Sequence, residues 1–232
     1  NLTHTNSGTI ALTGGALTLT QSGTGSFTNQ LGGTVTMTND WTVTGGVVNL
    51  SAGSVTGAGL LSVAGSTLNY VPASLPGRMS LNTTTVTGGL TIPNAQTLTL
   101  LTSNLTSPVT VAAGGTLVIQ RAVTLGGALL TPGTLRVQGV NGFTGALTVT
   151  NAWTNTGVIE LTDNSGNNST LTVTNGTLVS AAGGAVNVLA GSFGNRTITA
   201  ALDNQGTTTV STPLTINGAN LTHTNSGTIA LT

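Results

Sequence analysis

Glu160 and Asp163 are the closest-spaced acidic residues in this chain. Two carboxylates three residues apart are the minimum from which acid–base or hydrolytic chemistry is built, and such chemistry also needs a partner group held nearby. No basic residue lies near them in sequence, so they read as a solvated turn or a ladder partner, and the chain is expected to have no catalytic residue and no cofactor. The run that follows, Asp163-Asn164-Ser165-Gly166-Asn167-Asn168, consists of oxygen donors, and Asp163, Asn164 and Asn167 are its candidate calcium ligands. It carries fewer carboxylates than a calcium site uses, and an Asx-rich turn accounts for the same residues. His4 and His223 lack the cysteine or carboxylate neighbours of a metal site and read as surface imidazoles. Trp41 and Trp153 are candidates for stacking on sugar rings, together with Tyr70 and Arg78 from the irregular segment 70–78. The two tryptophans share one local frame, Thr-Asn-x-Trp-Thr-x-Thr-Gly, which favours a packing role at a corner.

Threonine supplies a further kind of chemistry. The chain has 50 threonines among 232 residues. Thr-x-Thr pairs recur at Thr18/Thr20, Thr34/Thr36/Thr38, Thr42/Thr44, Thr148/Thr150 and Thr172/Thr174. Ranked in register on one flat face, such hydroxyls order water, as an ice-binding surface requires. Their irregular spacing in sequence weighs against that reading.

Charge narrows the field. Four arginines and four acidic residues leave a net charge of zero, and there is no lysine and no cysteine. Four scattered arginines give no electrostatic footprint for nucleic acid. Without cysteine there is no disulfide framework, no thiol catalysis and no Cys-ligated zinc. No apolar stretch is long enough for a membrane-spanning helix, so none is expected. An apolar fraction of 38% supports an ordered chain rather than a disordered one.

These residues must be positioned by repeats. Residues 1–13 read NLTHTNSGTIALT, and residues 220–232 read the same thirteen letters, so that Asn220 repeats Asn1. The chain therefore reads as one tandem unit, 1–219, followed at 220–232 by the start of an identical copy. Weaker similarity lies within the unit: Thr38–Gly45 resembles Thr150–Gly157, and Gly115–Ile119 resembles Gly206–Val210. The shortest element is a strand of three to six residues that alternates apolar residues with threonine, the period of a strand with one buried face. Gly, Asn and Ser end these strands every 7–10 positions or so.

Short strands, Gly- and Asn-rich turns and nested repetition predict an all-β fold, a right-handed parallel β-helix (β-solenoid) with roughly 10 coils per repeat unit. Leu, Val and Ile would stack inward, threonine would point outward and asparagine would stack at the turns. Coils spaced by ~4.8 Å would give a rod of about 45–50 Å per copy. Segment 70–78, with Pro72 and Pro76, reads as a loop leaving the solenoid.

The runs LTHTNSGTIALTGGALTLT, NAWTNTGVIELT and LDNQGTTTVSTPLTINGANLTHTNSGTIALT resemble the β-strand repeats of large bacterial surface proteins, the filamentous-haemagglutinin-like and autotransporter-type adhesins. That resemblance implies export, a cell-surface or extracellular location and a stalk or adhesive role. The partners it leads us to expect are other copies of the same repeat, end to end and side by side, and surface glycans. A stiff, non-catalytic fibre or sheath segment is the expected function, with a carbohydrate-binding module as its alternative.

Overall fold

The computed structural model describes residues 2–70, 76–218 and 220–232. Among these residues there is no helix; the chain is all-β, and its strands pair in parallel as a solenoid of eleven turns. Each turn visits up to three faces in order. The third face is the most regular, an eleven-stranded sheet running from Leu17–Thr20 to Thr228–Leu231. The first face begins as a five-stranded sheet from Thr3–Asn6 to Thr85–Thr87 and continues from Ser103–Leu105 to Leu214–Asn217. The second face holds Thr9–Leu12, Thr34–Met37 and Ser54–Gly57, then Leu90–Ile92, Val109–Val111 and Leu129–Leu130. It ends with Trp153–Asn155, the later halves of Ser169–Ser180 and Arg196–Asn204, and Thr224–Asn225.

Alternation in sequence becomes alternation in space. One inward row of the third face runs Val43, Val63, Leu81, Leu100, Ile119, Val137, Leu161 and Val188, all at most 1% exposed. Each fully buried aliphatic side chain contributes about 1.5–3 kcal/mol relative to exposure. Coil length varies: Leu61 meets Met79 in register after a short coil, whereas the coil from Ile159 to Val186 is half as long again. The extra residues of the long coils are extruded as loops where the third face passes to the first.

The corners are closed by asparagine. At Asn6-Ser7-Gly8 the Asn6 side-chain amide donates to Asn29 Oδ1 (2.9 Å) and to Thr34 O (3.1 Å) on the next coil. Asn29 donates in turn to Ser54 O (3.1 Å), and Asn155 to Ala185 O (3.1 Å). Asn204 donates to Asn225 Oδ1 (2.7 Å) and Thr228 O (3.1 Å). These amides are buried, so the ladder satisfies both their own polar atoms and the backbone carbonyls of the turn. Glycine follows because the coils approach closely here: a Cβ on Gly206 would collide with the Gly184 carbonyl, and one on Gly227 with that of Gly206.

Candidate functional site

Five of the eight charged residues gather on four successive coils, near the corner between the third and first faces. Three loops stack there, spanning about 139–145, 163–169 and 189–196. They are tied coil to coil by backbone bonds, Gly145 N–H to Asn168 O (2.9 Å) and Ser169 N–H to Asn195 O (2.9 Å). Side chains add Asn141 N–H to Ser165 Oγ (2.6 Å) and Asn195 N–H to Asn168 Oδ1 (2.9 Å).

Beneath the loops lies a buried ion pair. Asp163 Oδ1 accepts from the Ser192 N–H (2.5 Å) and from Arg196 Nη2 (3.3 Å), and Oδ2 accepts from the N–H groups of Phe193 (3.2 Å) and Gly194 (2.9 Å). The side chains of Arg196 and Asp163 are 1% and 0% exposed. Burial pushes the Asp163 carboxyl upward, but three backbone N–H groups and the Arg196 charge outweigh it and hold the group below its ordinary range. Arg196 also donates to the carbonyls of Leu189 (3.2 Å) and Gly194. Gly191 is required because a Cβ there would strike the Asp163 carboxylate.

Above this base the surface is aromatic and polar. Phe193 is 96% exposed at the tip of its loop, and Phe143 is 44% exposed. The Arg121 guanidinium lies 3.9 Å from the centroid of the Phe143 ring, an attraction of about 0.5–2 kcal/mol. On the neighbouring third face Arg136 Nε donates to Glu160 Oε2 (2.6 Å) across adjacent strands.

The residues singled out in sequence are dispersed by this arrangement. Glu160 points outward to Arg136, while Asp163 points inward to Arg196, so the two carboxylates form no acid–base pair. Four donors from residues 192–196 occupy the Asp163 carboxylate oxygens. That corrects the calcium reading: Asn164 and Asn167 belong to a turn in which Asn167 Nδ2 donates to Ser165 Oγ (2.8 Å). Among the described residues no three His, Cys, Asp or Glu side chains gather as a metal site.

The sugar-stacking reading of the tryptophans is corrected likewise. Trp41 is 0% and Trp153 3% exposed, and Trp41 packs edge-to-face on Phe27 at 4.9 Å. They pack as their shared frame suggests, but on different faces: Trp41 on the third and Trp153 on the second. Tyr70 is also buried; its hydroxyl accepts from the Thr91 N–H (2.6 Å) and donates to Gly89 O (3.3 Å). Burial pushes the phenol up to about 12, only partly offset by the Thr91 N–H. Arg78 alone of the four remains exposed, on the third face beside Leu60 and Thr97. The loop reading of 71–75 lies outside the described residues.

His4 and His223 occupy inward rows of the outermost coils, His4 beside Phe27 and His223 with Nδ1 accepting from the Leu202 N–H (3.3 Å). Threonines form no single sheet-wide array. Thr18/Thr20 and Thr42/Thr44 stack for two coils before Ser62/Ala64 intervene. Thr38, Thr150 and Thr174 sit at corners and donate to backbone carbonyls of the preceding coil. The longest rank is Thr124, Thr148, Thr172 and Thr199 on the first face.

Sequence reasoning missed Arg196, Arg121, Phe143 and Phe193. Arg196 is far from its partner Asp163 along the chain, more than a full coil away. The one available signal was composition: in a chain with so few charges, an acid next to a loop needs a remote arginine.

No family model, no curated protein and no solved structure matches this chain. Among the described residues no helix is long and apolar enough to cross a membrane.

Proposed function

We propose that this chain is a rod-forming, non-catalytic segment of a larger tandem-repeat protein, working outside the cell or at its surface as a stalk, spacer or sheath. One observation carries the reading. The repeated segment at 220–232 is already joined to the ladder, with Thr207–Val210 paired in register to Thr228–Leu231. In this reading the solenoid continues from one copy into the start of the next. Stacked coils place their backbone hydrogen bonds along the rod axis, which resists bending and pulling. Four arginines and no lysine leave trypsin few sites. The near-neutral surface repels its like only weakly, which suits lateral bundling of copies.

The test is electron microscopy of chains with one, two and four copies. Straight rods that lengthen by a constant ~45–50 Å per copy are expected. Beads on flexible joints would overturn the reading.

A second reading has its own observation, the exposed Phe193 on the same stack of corner loops as Phe143 and its Arg121 contact. In it the corner loops form a contact surface for glycans or another surface ligand. A glycan array should then show binding that disappears on Phe193→Ala, and no binding would end this alternative.

A further inference from the structure

The two identical thirteen-letter segments do not occupy equivalent places. In the first, Thr3–Asn6 lies on the first face and Thr9–Leu12 on the second. In the second, Thr224–Asn225 lies on the second face and Thr228–Leu231 on the third. The same sequence has moved on by one face. Coil length gives the same answer. Ten steps of third-face pairing carry Leu17 to Ile229, which fixes the mean length of a coil. Ten coils of that mean length, counted from Ile10, end near Thr222. The counterpart of Ile10 in the repeated segment is Ile229, a third of a coil further on.

We infer that successive copies stack with each turned by one face of the coil relative to the copy before, so that three copies complete one surface period. The inference rests on the rod reading above and adds its internal geometry.

The junction is chemically continuous under this rotation. Asn225 of one copy is Asn6 of the next. Its Oδ1 accepts from Asn204, and in the Asn6 position its Nδ2 donates to Asn29. Acceptor on one side and donor on the other, the amide fits a ladder of single polarity that runs Asn204, Asn225/Asn6, Asn29 across the joint. The histidine is treated alike: as His223 it lies over Leu202, and as His4 it lies beneath Phe27, in the inward row both times. Threonine parity holds too, because Thr224 donates to Asp203 Oδ1 (2.6 Å) on the outside, where Thr5 pairs with Thr28.

A consequence concerns display. A loop such as that bearing Phe193 would point in three directions along the fibre, once per copy. No single flat side of the rod would carry one surface throughout.

Two measurements test the rotation. The chain has no native cysteine, so paired substitutions report register directly. Ala230→Cys is expected to form a disulfide with Thr209→Cys, its third-face neighbour, and not with Asp203→Cys, which it would meet if 228–231 stayed on the second face. The reverse preference would overturn the inference. The second is helical reconstruction of a six-copy chain at a resolution that traces strands. Each Asn-Ser-Gly corner should sit one corner further round than the last. Straight rods with every such corner at one position would overturn the rotation and leave the rod standing. Flexible joints would overturn both.

Discussion

At the scale of single residues, two ion pairs of the same formal kind do different things. Arg136 and Glu160 are 39% and 17% exposed, and their attraction is screened by solvent. Arg136→Ala should cost about 0–1 kcal/mol in denaturant unfolding. Asp163 and Arg196 have no water to fall back on. Asp163→Asn strands a buried guanidinium and should cost about 3–5 kcal/mol, with faster amide exchange concentrated in 189–196. Replacing Arg196 by Met in the same chain should recover part of that loss, because no uncompensated charge remains. The depressed Asp163 carboxyl fixes the sign with pH. Its contribution is complete above the unfolded value of about 3.9 and disappears as pH falls through the lower native value. Loop 189–196 should therefore open in acid, and proteolysis across that range would show it. Tyr70 works in the opposite direction. Its neutral phenol is favoured in the fold, so its contribution is complete below about 10 and is lost as pH climbs toward 12. As the only tyrosine, it can be followed by phenolate absorbance, which should show a midpoint near 12. A midpoint near 10 in folded protein would place the ring in water.

At the scale of elements, the stabilising unit is a strand pair plus the corner that follows it. Asn204→Ala would leave Asn225 Oδ1 and Thr228 O without their donor, at about 1–3 kcal/mol. Exchange should quicken at 205–207 and 226–228 and not on remote coils, because each coil contacts only its neighbours. Both tryptophans should emit at short wavelength and resist iodide quenching, unchanged by added sugars; strong quenching would contradict their burial. This is also the scale at which legibility changes. Alternation such as Leu98-Thr99-Leu100 declares which side is buried, and Asn-x-Gly declares a corner. Neither declares which corner. Thr38-Asn39 and Thr150-Asn151 make the same turn, each donating to the coil before, yet introduce strands on different faces. Coils whose length varies by half prevent any fixed period from predicting the face. The candidate site was hidden for the same reason. Its parts come from four coils, and only the coil register brings Arg121, Asp163 and Arg196 to one corner.

At the scale of the whole molecule, stability is a sum over coil-to-coil interfaces, and the end coils each lack one. Ile229 is 51% and Leu231 80% exposed in the last coil. Their counterparts in the first segment are Ile10 and Leu12, and Leu12 is already 9% exposed with a coil on one side only. When a second copy follows, the same two residues are covered on both sides. Burying each adds about 1.5–3 kcal/mol, and the extended asparagine ladder adds its hydrogen bonds. A two-copy chain should therefore unfold at higher denaturant than a one-copy chain, with much smaller gains for the third and fourth copies, because the number of bare ends stays at two. Amide exchange tells whether the gain arises at the joint. In a single copy, residues 224–231 should exchange fast, since their coil is the last. In a two-copy chain the internal segment of identical sequence should be protected as strongly as the core strand Thr116–Ile119, while the terminal one stays fast. Equal, fast exchange at both would mean that copies meet without stacking, and the rod would lose its continuity at every joint.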